Sequence, residues 1–416
     1  MQGVSQQSRF RGVLIGTAVG DALGLPAEGV SRRRIGRLFP GPWRHRLIFG
    51  RGMVSDDTEH SVFISQALLA QPESAERFAR RFARSLRWWF VALPAGIGLG
   101  TGRAILRLWL GFSPARSGVR SAGNGAAMRV APIGARFADN PQRRVTYVEA
   151  ATRVTHSDPR ALVGAQAVAS LCAWSIRTGA PARPAADEFL GLLRACGEQE
   201  PEWLGIVDAM ARAVAEDWSV QAYADSLGLQ KGISGYVYHT VPVVSYAWFR
   251  HFGDFETTLS AVLDCGGDAD TTGAIAGALA GAVVGEEGIP RLWIDAIVDW
   301  PRSVSLCYRL ADQLFLASEA QRAMPLIRYA WPAVIIRNVL FLVIVLAHGF
   351  RDAGLRVTGT RAALQRLGDR RILTAAQAEL QQAGEDLAGR VPDAVRALFD
   401  VQVMLLAPPQ APPSTA

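Results

Sequence analysis

Residues 265–281 read CGGDADTTGAIAGALAG. Gly273, Gly277 and Gly281 recur at every fourth position, and Gly285 continues the series. On a helix that spacing lines the glycines along one face, which leaves a surface another backbone can approach closely. Residues 9–30 repeat the device with Gly12, Gly16 and Gly20. In a bilayer such a stripe marks helix pairing. Here it is short and is flanked by Asp268, Asp270, Glu286 and Glu287, so a helix buried in a soluble bundle is expected.

The segments around these stripes also carry helical periodicity. Phe10, Val13, Leu14 and Val19 fit it, as do Val62, Phe63, Ala67 and Leu68, and Ala161, Val163, Ala167, Val168 and Leu171. Long alternating runs of β-formers are absent. The expected fold class is all-α: a compact multi-helix bundle with function on loops and helix ends.

Half of the 416 residues are apolar and 19% are charged, which suits a large packed core and excludes a disordered chain. The net charge is +7, carried almost entirely by arginine, with Lys231 as the one lysine. The positive charge is spread along the chain, so no specific nucleic-acid binding is expected, whereas an anionic small ligand would suit it. Cys172, Cys196, Cys265 and Cys307 lie far apart and form neither a CxxC pair nor a disulfide pattern. The opening MQGVSQQSRFRGVLIG lacks signal-peptide architecture, and a cytoplasmic location is expected.

The composition changes after about residue 320. A core domain over 8–320 is expected, followed by a helical C-terminal appendage over 325–405 and a Pro-rich tail over 406–416. Within the appendage, 360–405 has the pattern of a polar amphipathic helical pair. Residues 325–350 read PLIRYAWPAVIIRNVLFLVIVLAHGF, and the uninterrupted apolar run from Val339 to Ala347 is nine residues long. A membrane span needs roughly 20. Arg337 and Asn338 interrupt any longer window. A buried or partner-facing helix is therefore favoured over membrane association through 329–350.

Two acidic runs stand out, Ser55–His60 (SDDTEH) and 266–273 (GGDADTTG). Each places carboxylates and hydroxyls at the start of a helical pattern. Helix capping accounts for one such residue. Carboxylates this close repel one another and require something positive nearby. An all-oxygen set of Asp, Ser and Thr suits Mg²⁺ or Mn²⁺, and the scarcity of His and Cys clusters argues against zinc. Two such loops could share a two-metal site, so capping and metal binding both stand as readings.

Five segments in this order resemble the ADP-ribosylglycohydrolase family: GVLIGTAVGDALGLPAEG (12–29), SDDTEHSVFISQALL (55–69), SAGNGAAMRVAPIG (121–134), THSDPRALVGAQAVA (155–169) and GGDADTTGAIAGALAGAVVG (266–285). The resemblance implies an all-α fold around a central cleft holding two Mg²⁺ or Mn²⁺ ions. It implies hydrolysis of the glycosidic bond between ADP-ribose and an acceptor, with an ADP-ribosylated protein or other ADP-ribosylated acceptor as partner. By the same resemblance, Ser55, Asp56, Asp57, Asp268, Asp270 and Thr271 match metal-binding positions, with Ser55 where threonine is common. Glu28, Asp57 and Asp270 would carry the chemistry, Glu28 beside the substrate ribose. Ser121, Gly123, Asn124, Gly125 and His156 match the substrate pocket. Arginine-reversing members carry aspartate where this chain has Ser121, which leaves the acceptor open. A non-catalytic ADP-ribose binder, or an immunity protein that occludes a toxin, is the alternative.

Plainer roles are also expected nearby. Asp21 reads as a capping carboxylate behind the ligands. Asn124 between two glycines has the form of a turn residue, and His156 that of a solvated or capping histidine. Met128 and Arg129 read as packing and an internal ion pair. Gly96, Gly98 and Gly100 suggest a loop near the pocket, and Trp88–Trp89 suggests core or interface before a platform for adenine.

Overall fold

A computed structural model describes residues 4–179, 182–320 and 322–354, with the backbone alone for 346–354. The segments 360–405 and 406–416 lie outside the described residues. The elements that build the core and the cleft are α1 (Gln6–Gly24), α2 (Asp56–Ala70), α3 (Ala75–Val91), α4 (Pro159–Thr178), α5 (Val237–Arg250), α6 (Ala269–Val284), α7 (Val304–Ala320) and α8 (Trp331–Gly354). Among the described residues, strand structure is confined to β1 (Val30–Ser31), β2 (Gly266–Gly267) and isolated bridges, so the all-α expectation holds.

The two glycine helices, α1 and α6, form the centre. Gly12 meets Gly281, Gly16 meets Gly277, Gly20 meets Gly273, and Gly24 meets Ala269. At each rung a methyl group on one backbone would collide with the carbonyl of the other. The stripes therefore pack against each other as bare backbone, which two side-chain-bearing faces could not do. Both helices are buried nearly all round, including the charged Arg9 of α1. Its guanidinium donates to the Ala282 and Val283 carbonyls at the C-terminal end of α6, at 3.1 and 2.6 Å. That end carries the negative pole of the helix and unpaired carbonyls, so the buried cation is satisfied there.

The remaining helices surround this pair. Their apolar faces join one core, with Trp89, Trp203 and Trp248 among its largest fully buried side chains. The small ribbon has a specific task. Val30 pairs with Gly267 and Ser31 with Gly266, antiparallel. The φ values of Gly266 and Gly267 are +67° and +92°, and a side chain at either would strike neighbouring backbone. Only glycine fits here. The ribbon ties the turn carrying Glu28 to the loop carrying Asp268.

No helix of the described residues is long and apolar enough to cross a membrane. In α8 the polar pair Arg337–Asn338 faces the protein, and Val339, Leu340 and Val343 are on the exposed side.

Candidate active site

A cavity of about 670 Å³ opens at the ends of α2 and α6. That volume lies within the ~300–1,000 Å³ typical of small-molecule sites. Glu28, Ser55, Asp56, Asp268, Asp270 and Thr271 line it from one set of loops. Ser121, Gly123, Asn124, Gly125 and His156 line it from another. Asp57 lies just behind the surface, 1% exposed. The residues expected to hold metal, substrate or the chemistry thus come together at one cavity, from positions as distant as 28 and 271, with Asp57 alone among them set behind its wall.

Ser55 is the N-cap of α2, and its hydroxyl accepts from the Asp57 N–H at 3.3 Å. The same hydroxyl donates to Asp57 Oδ2 at 3.0 Å. Thr271 Oγ1, on the first turn of α6, donates to that Oδ2 at 3.3 Å. The two acidic motifs therefore touch, although 214 residues separate Asp57 from Thr271. Asp57 Oδ1 is buried with no hydrogen-bond partner. A carboxylate oxygen left bare in the interior is costly unless something satisfies it.

Capping explains part of this arrangement and leaves the rest over. Ser55 caps α2. Asp268 occupies the N-cap of α6 yet makes no cap hydrogen bond with its side chain. Its Oδ2 instead accepts from Asn124 Nδ2 at 2.7 Å. Asn124 is more than a turn residue, since it also donates to Thr240 Oγ1 of α5 at 2.9 Å and its backbone N–H bonds the Gly235 carbonyl at 2.9 Å. The capping part expected for Asp21 is borne out. It accepts from the Ser55 N–H with both oxygens at 2.9 Å, from the Thr58 N–H at 3.1 Å and from Thr58 Oγ1 at 2.6 Å. Asp21 thus fixes the backbone that carries Asp56 and Asp57.

The electrostatics follow from burial and crowding. Burial pushes Asp56, Asp57 and Asp270 well above the usual carboxylate range, and neighbouring carboxylates push them further. Glu28 is raised by burial and then by Asp268. Asp21 is pushed up to about 6 by burial, despite its hydrogen bonds. Glu59 is withdrawn from this cluster, because Arg302 pairs with it in the interior and Trp89 Nε1 donates to it at 2.6 Å. So, among the described residues, the cleft concentrates carboxylates with no cation in an ion pair to Glu28, Asp56, Asp57, Asp268 or Asp270.

The oxygen donors it offers are Ser55, Asp56, Asp57, Asp268, Asp270 and Thr271, a hard-cation set. Among the described residues no three His, Cys, Asp or Glu side chains converge closely enough to hold an ion as they stand. The donors border one cavity and leave Asp57 Oδ1 bare, so they fit a cation that draws them together; a closed cage is not preassembled.

His156 is buried, and its Nδ1 lies 2.7 Å from Thr155 Oγ1. Burial, then the Arg129 charge, lowers its pKa to about 3, so the ring is neutral. The solvated reading of His156 is thereby replaced by a buried one. Arg129, expected in an ion pair, instead donates to the Ala151 carbonyl and the Thr155 hydroxyl and lies over the Phe82 ring, 4.9 Å from its centroid. Gly96, Gly98 and Gly100 do line the cavity. Trp89 belongs to the core, and Trp88 meets Trp331 edge-on away from the cleft.

Phe341 and Val345 of α8 also line the cavity. Sequence reasoning missed them because their segment read as an appendage. The available signal was the Arg337–Asn338 pair, whose polarity marks a face that needs partners inside the protein.

The family model for ADP-ribosylglycohydrolase matches residues 2–323. An uncharacterized protein of Archaeoglobus fulgidus is 33% identical over 312 residues, covering 70% of this chain and 92% of that protein. The ADP-ribosyl-[dinitrogen reductase] glycohydrolase of Rhodospirillum rubrum is 28% identical, covering 71% of this chain and 92% of its own. The human ADP-ribosylhydrolase ARH3 is 26% identical over 69% of this chain and 88% of its own. Among solved structures, an ADP-ribosylglycohydrolase-related protein complex aligns with a TM-score of 0.57 at 26% identity, over 75% of this chain and 99% of that chain. With the glycine-paired helices and the two acidic motifs meeting at one cleft, the match across most of the sequence places this chain in the ADP-ribosylglycohydrolase family.

Proposed function

We propose that the protein hydrolyses the glycosidic bond between ADP-ribose and an acceptor, with two Mg²⁺ or Mn²⁺ ions held in the cleft. The observation that carries this reading is the meeting of the two acidic motifs through Thr271 and Asp57, with Asp57 Oδ1 bare in the interior. Ser55, Asp56, Asp57, Asp268, Asp270 and Thr271 would hold the ions. Bound there, they supply Lewis-acid polarisation and a readily deprotonated water.

The chain's own groups supply the rest. With the cations bound, Asp57, Asp268 and Asp270 would be held as carboxylates beside the ribose, where oxocarbenium character develops. Glu28, raised by burial and by Asp268, retains its proton closer to neutrality than a free glutamate, which suits proton transfer at the scissile bond. Asn124 is locked by Asp268 and Thr240, so its position is set before substrate arrives. Neutral His156 and Ser121 offer hydrogen bonds to ribose or phosphate oxygens without adding charge. The names of the R. rubrum and human relatives, a glycohydrolase and an ADP-ribosylhydrolase, agree with this chemistry. The acceptor would be an ADP-ribosylated protein or another ADP-ribosylated molecule.

The test is ADP-ribose release from arginine-, serine- and nucleic-acid-linked ADP-ribose, with Mg²⁺ or Mn²⁺ and with EDTA. Metal-dependent release from one linkage, lost in Asp57→Ala and Asp270→Ala, is expected. Full activity in either variant with normal metal content would sink the reading. Tight ADP-ribose binding without release would replace it with a binding protein.

A further inference from the structure

Helix α8 lies beyond the residues matched by the family model, which end at 323. Its buried face carries an arginine and an asparagine beside apolar residues, and its exposed face is largely apolar. Val334, Arg337, Asn338 and Phe341, spaced three, four and seven apart, are buried. Ile336, Val339, Leu340 and Val343 are 49–60% exposed. Burying an arginine and an asparagine is expensive unless every contact is specific, so their partners indicate what the helix does.

Arg337 Nε donates to Asp299 Oδ1 at 3.0 Å, and Nη2 donates to Asp299 Oδ2 at 2.5 Å. Nη2 also donates to the Val54 carbonyl at 2.5 Å. Asp299 Oδ2 in turn accepts from the Val54 N–H at 2.9 Å. Both backbone polar groups of Val54 are therefore bonded to one buried, bidentate ion pair. Val54 directly precedes Ser55. The guanidinium also stacks on Phe341, 4.2 Å from the ring centroid, and Phe341 lines the cavity. Asp21 clamps the same loop from the side of α1, starting at the Ser55 N–H. The segment Val54–Asp57 is thus held from two directions, by Asp21 and by the Asp299–Arg337 pair, of which only Arg337 lies outside the residues the family model matches.

We propose that Arg337 is a positioning residue for the cation site: through Asp299 and Val54 it sets where Ser55, Asp56 and Asp57 stand in the cleft, making α8 a working part of that site. This rests on the two-cation reading of the cleft. Groups that orient metal ligands typically contribute about 10- to 100-fold in metal affinity. Arg337→Met keeps most of the side-chain volume and removes the three bonds to Asp299 and Val54, together with a fourth from Nη1 to Asn338 Oδ1 at 3.2 Å.

The experiment is calorimetric titration of the metal-stripped full chain with Mn²⁺ alone, beside thermal unfolding, for the unaltered protein, Arg337→Met, Arg337→Lys and Val334→Ala. Val334 is buried on the same face but has no bond to Val54, so Val334→Ala weakens helix docking only. Expected are about tenfold or weaker Mn²⁺ binding in Arg337→Met, an intermediate value in Arg337→Lys, and unchanged binding in Val334→Ala despite a lower Tm. If Arg337→Met fails to fold, Arg337→Lys carries the comparison. A folded Arg337 variant that binds Mn²⁺ like the unaltered protein overturns the inference. So does equal weakening in Val334→Ala, which would leave docking as the whole effect. If the unaltered protein binds no Mn²⁺, the two-cation reading itself fails and the inference falls with it.

Discussion

Gly277→Ala tests the reasoning behind the fold, because two effects of opposite sign compete there. Alanine is the better helix former by about 1 kcal/mol, so a helix-propensity argument alone predicts stabilisation. The structure predicts the reverse. A Cβ on Gly277 would lie 2.7 Å from the carbonyl carbon of Gly16, and closer still to its oxygen. Comfortable carbon–carbon separation begins near 3.5 Å, so α1 and α6 would have to part by roughly 1 Å. No flexible side chain stands in the way to give ground; the obstacle is backbone on a helix packed at four rungs. Overpacking in cores costs typically 1–3 kcal/mol, and a rigid obstacle belongs at the upper end. The net expectation is a loss of about 2 kcal/mol by urea unfolding, after the propensity gain is subtracted. Gly205 supplies the control. It lies inside the helix Pro201–Ala215, and a methyl group added there would meet nothing within 4 Å, so Gly205→Ala is expected to stabilise by about 0.5–1 kcal/mol. Stabilisation in both variants would refute the close packing of α1 on α6.

Two further outcomes follow from the buried polar groups. The folded-state pKa of His156 is lowered to about 3, against an ordinary value near 6.5, so the unfolded chain binds more protons between those limits and acid destabilises the fold across that window. Relative to His156→Asn, the unaltered protein should lose about 1.4 kcal/mol more stability per pH unit on descending through it; parallel curves would remove His156 as the source. Asp21→Asn leaves an amide nitrogen facing donors at Ser55 and Thr58, and a loss of about 1–3 kcal/mol in urea unfolding is expected, with unchanged stability contradicting its part in holding the loop.

The sequence by itself determined the pairing surface of the two central helices, because glycine at every fourth position has one geometric meaning on a helix. It also determined the chemistry of the cleft, because Ser55–Asp57 and Asp268–Thr271 are oxygen donors whatever surrounds them. The tertiary structure decided which of these groups are free for a ligand. Capping residues and ligands are the same residue types, and only the partners separate them: Asp21 is spent on backbone N–H groups, Glu59 on Arg302, and Asp57 keeps a bare oxygen. It decided the state of His156 as well, since burial and the distance to Arg129 cannot be read along the chain. The part played by α8 was the least legible. Its apolar residues suggested the inside and its polar pair an interruption, but hydrogen-bond partners brought by distant segments, Asp299 and Val54, turned Arg337 inward beside Val334 and Phe341 and left Ile336, Val339, Leu340 and Val343 outside.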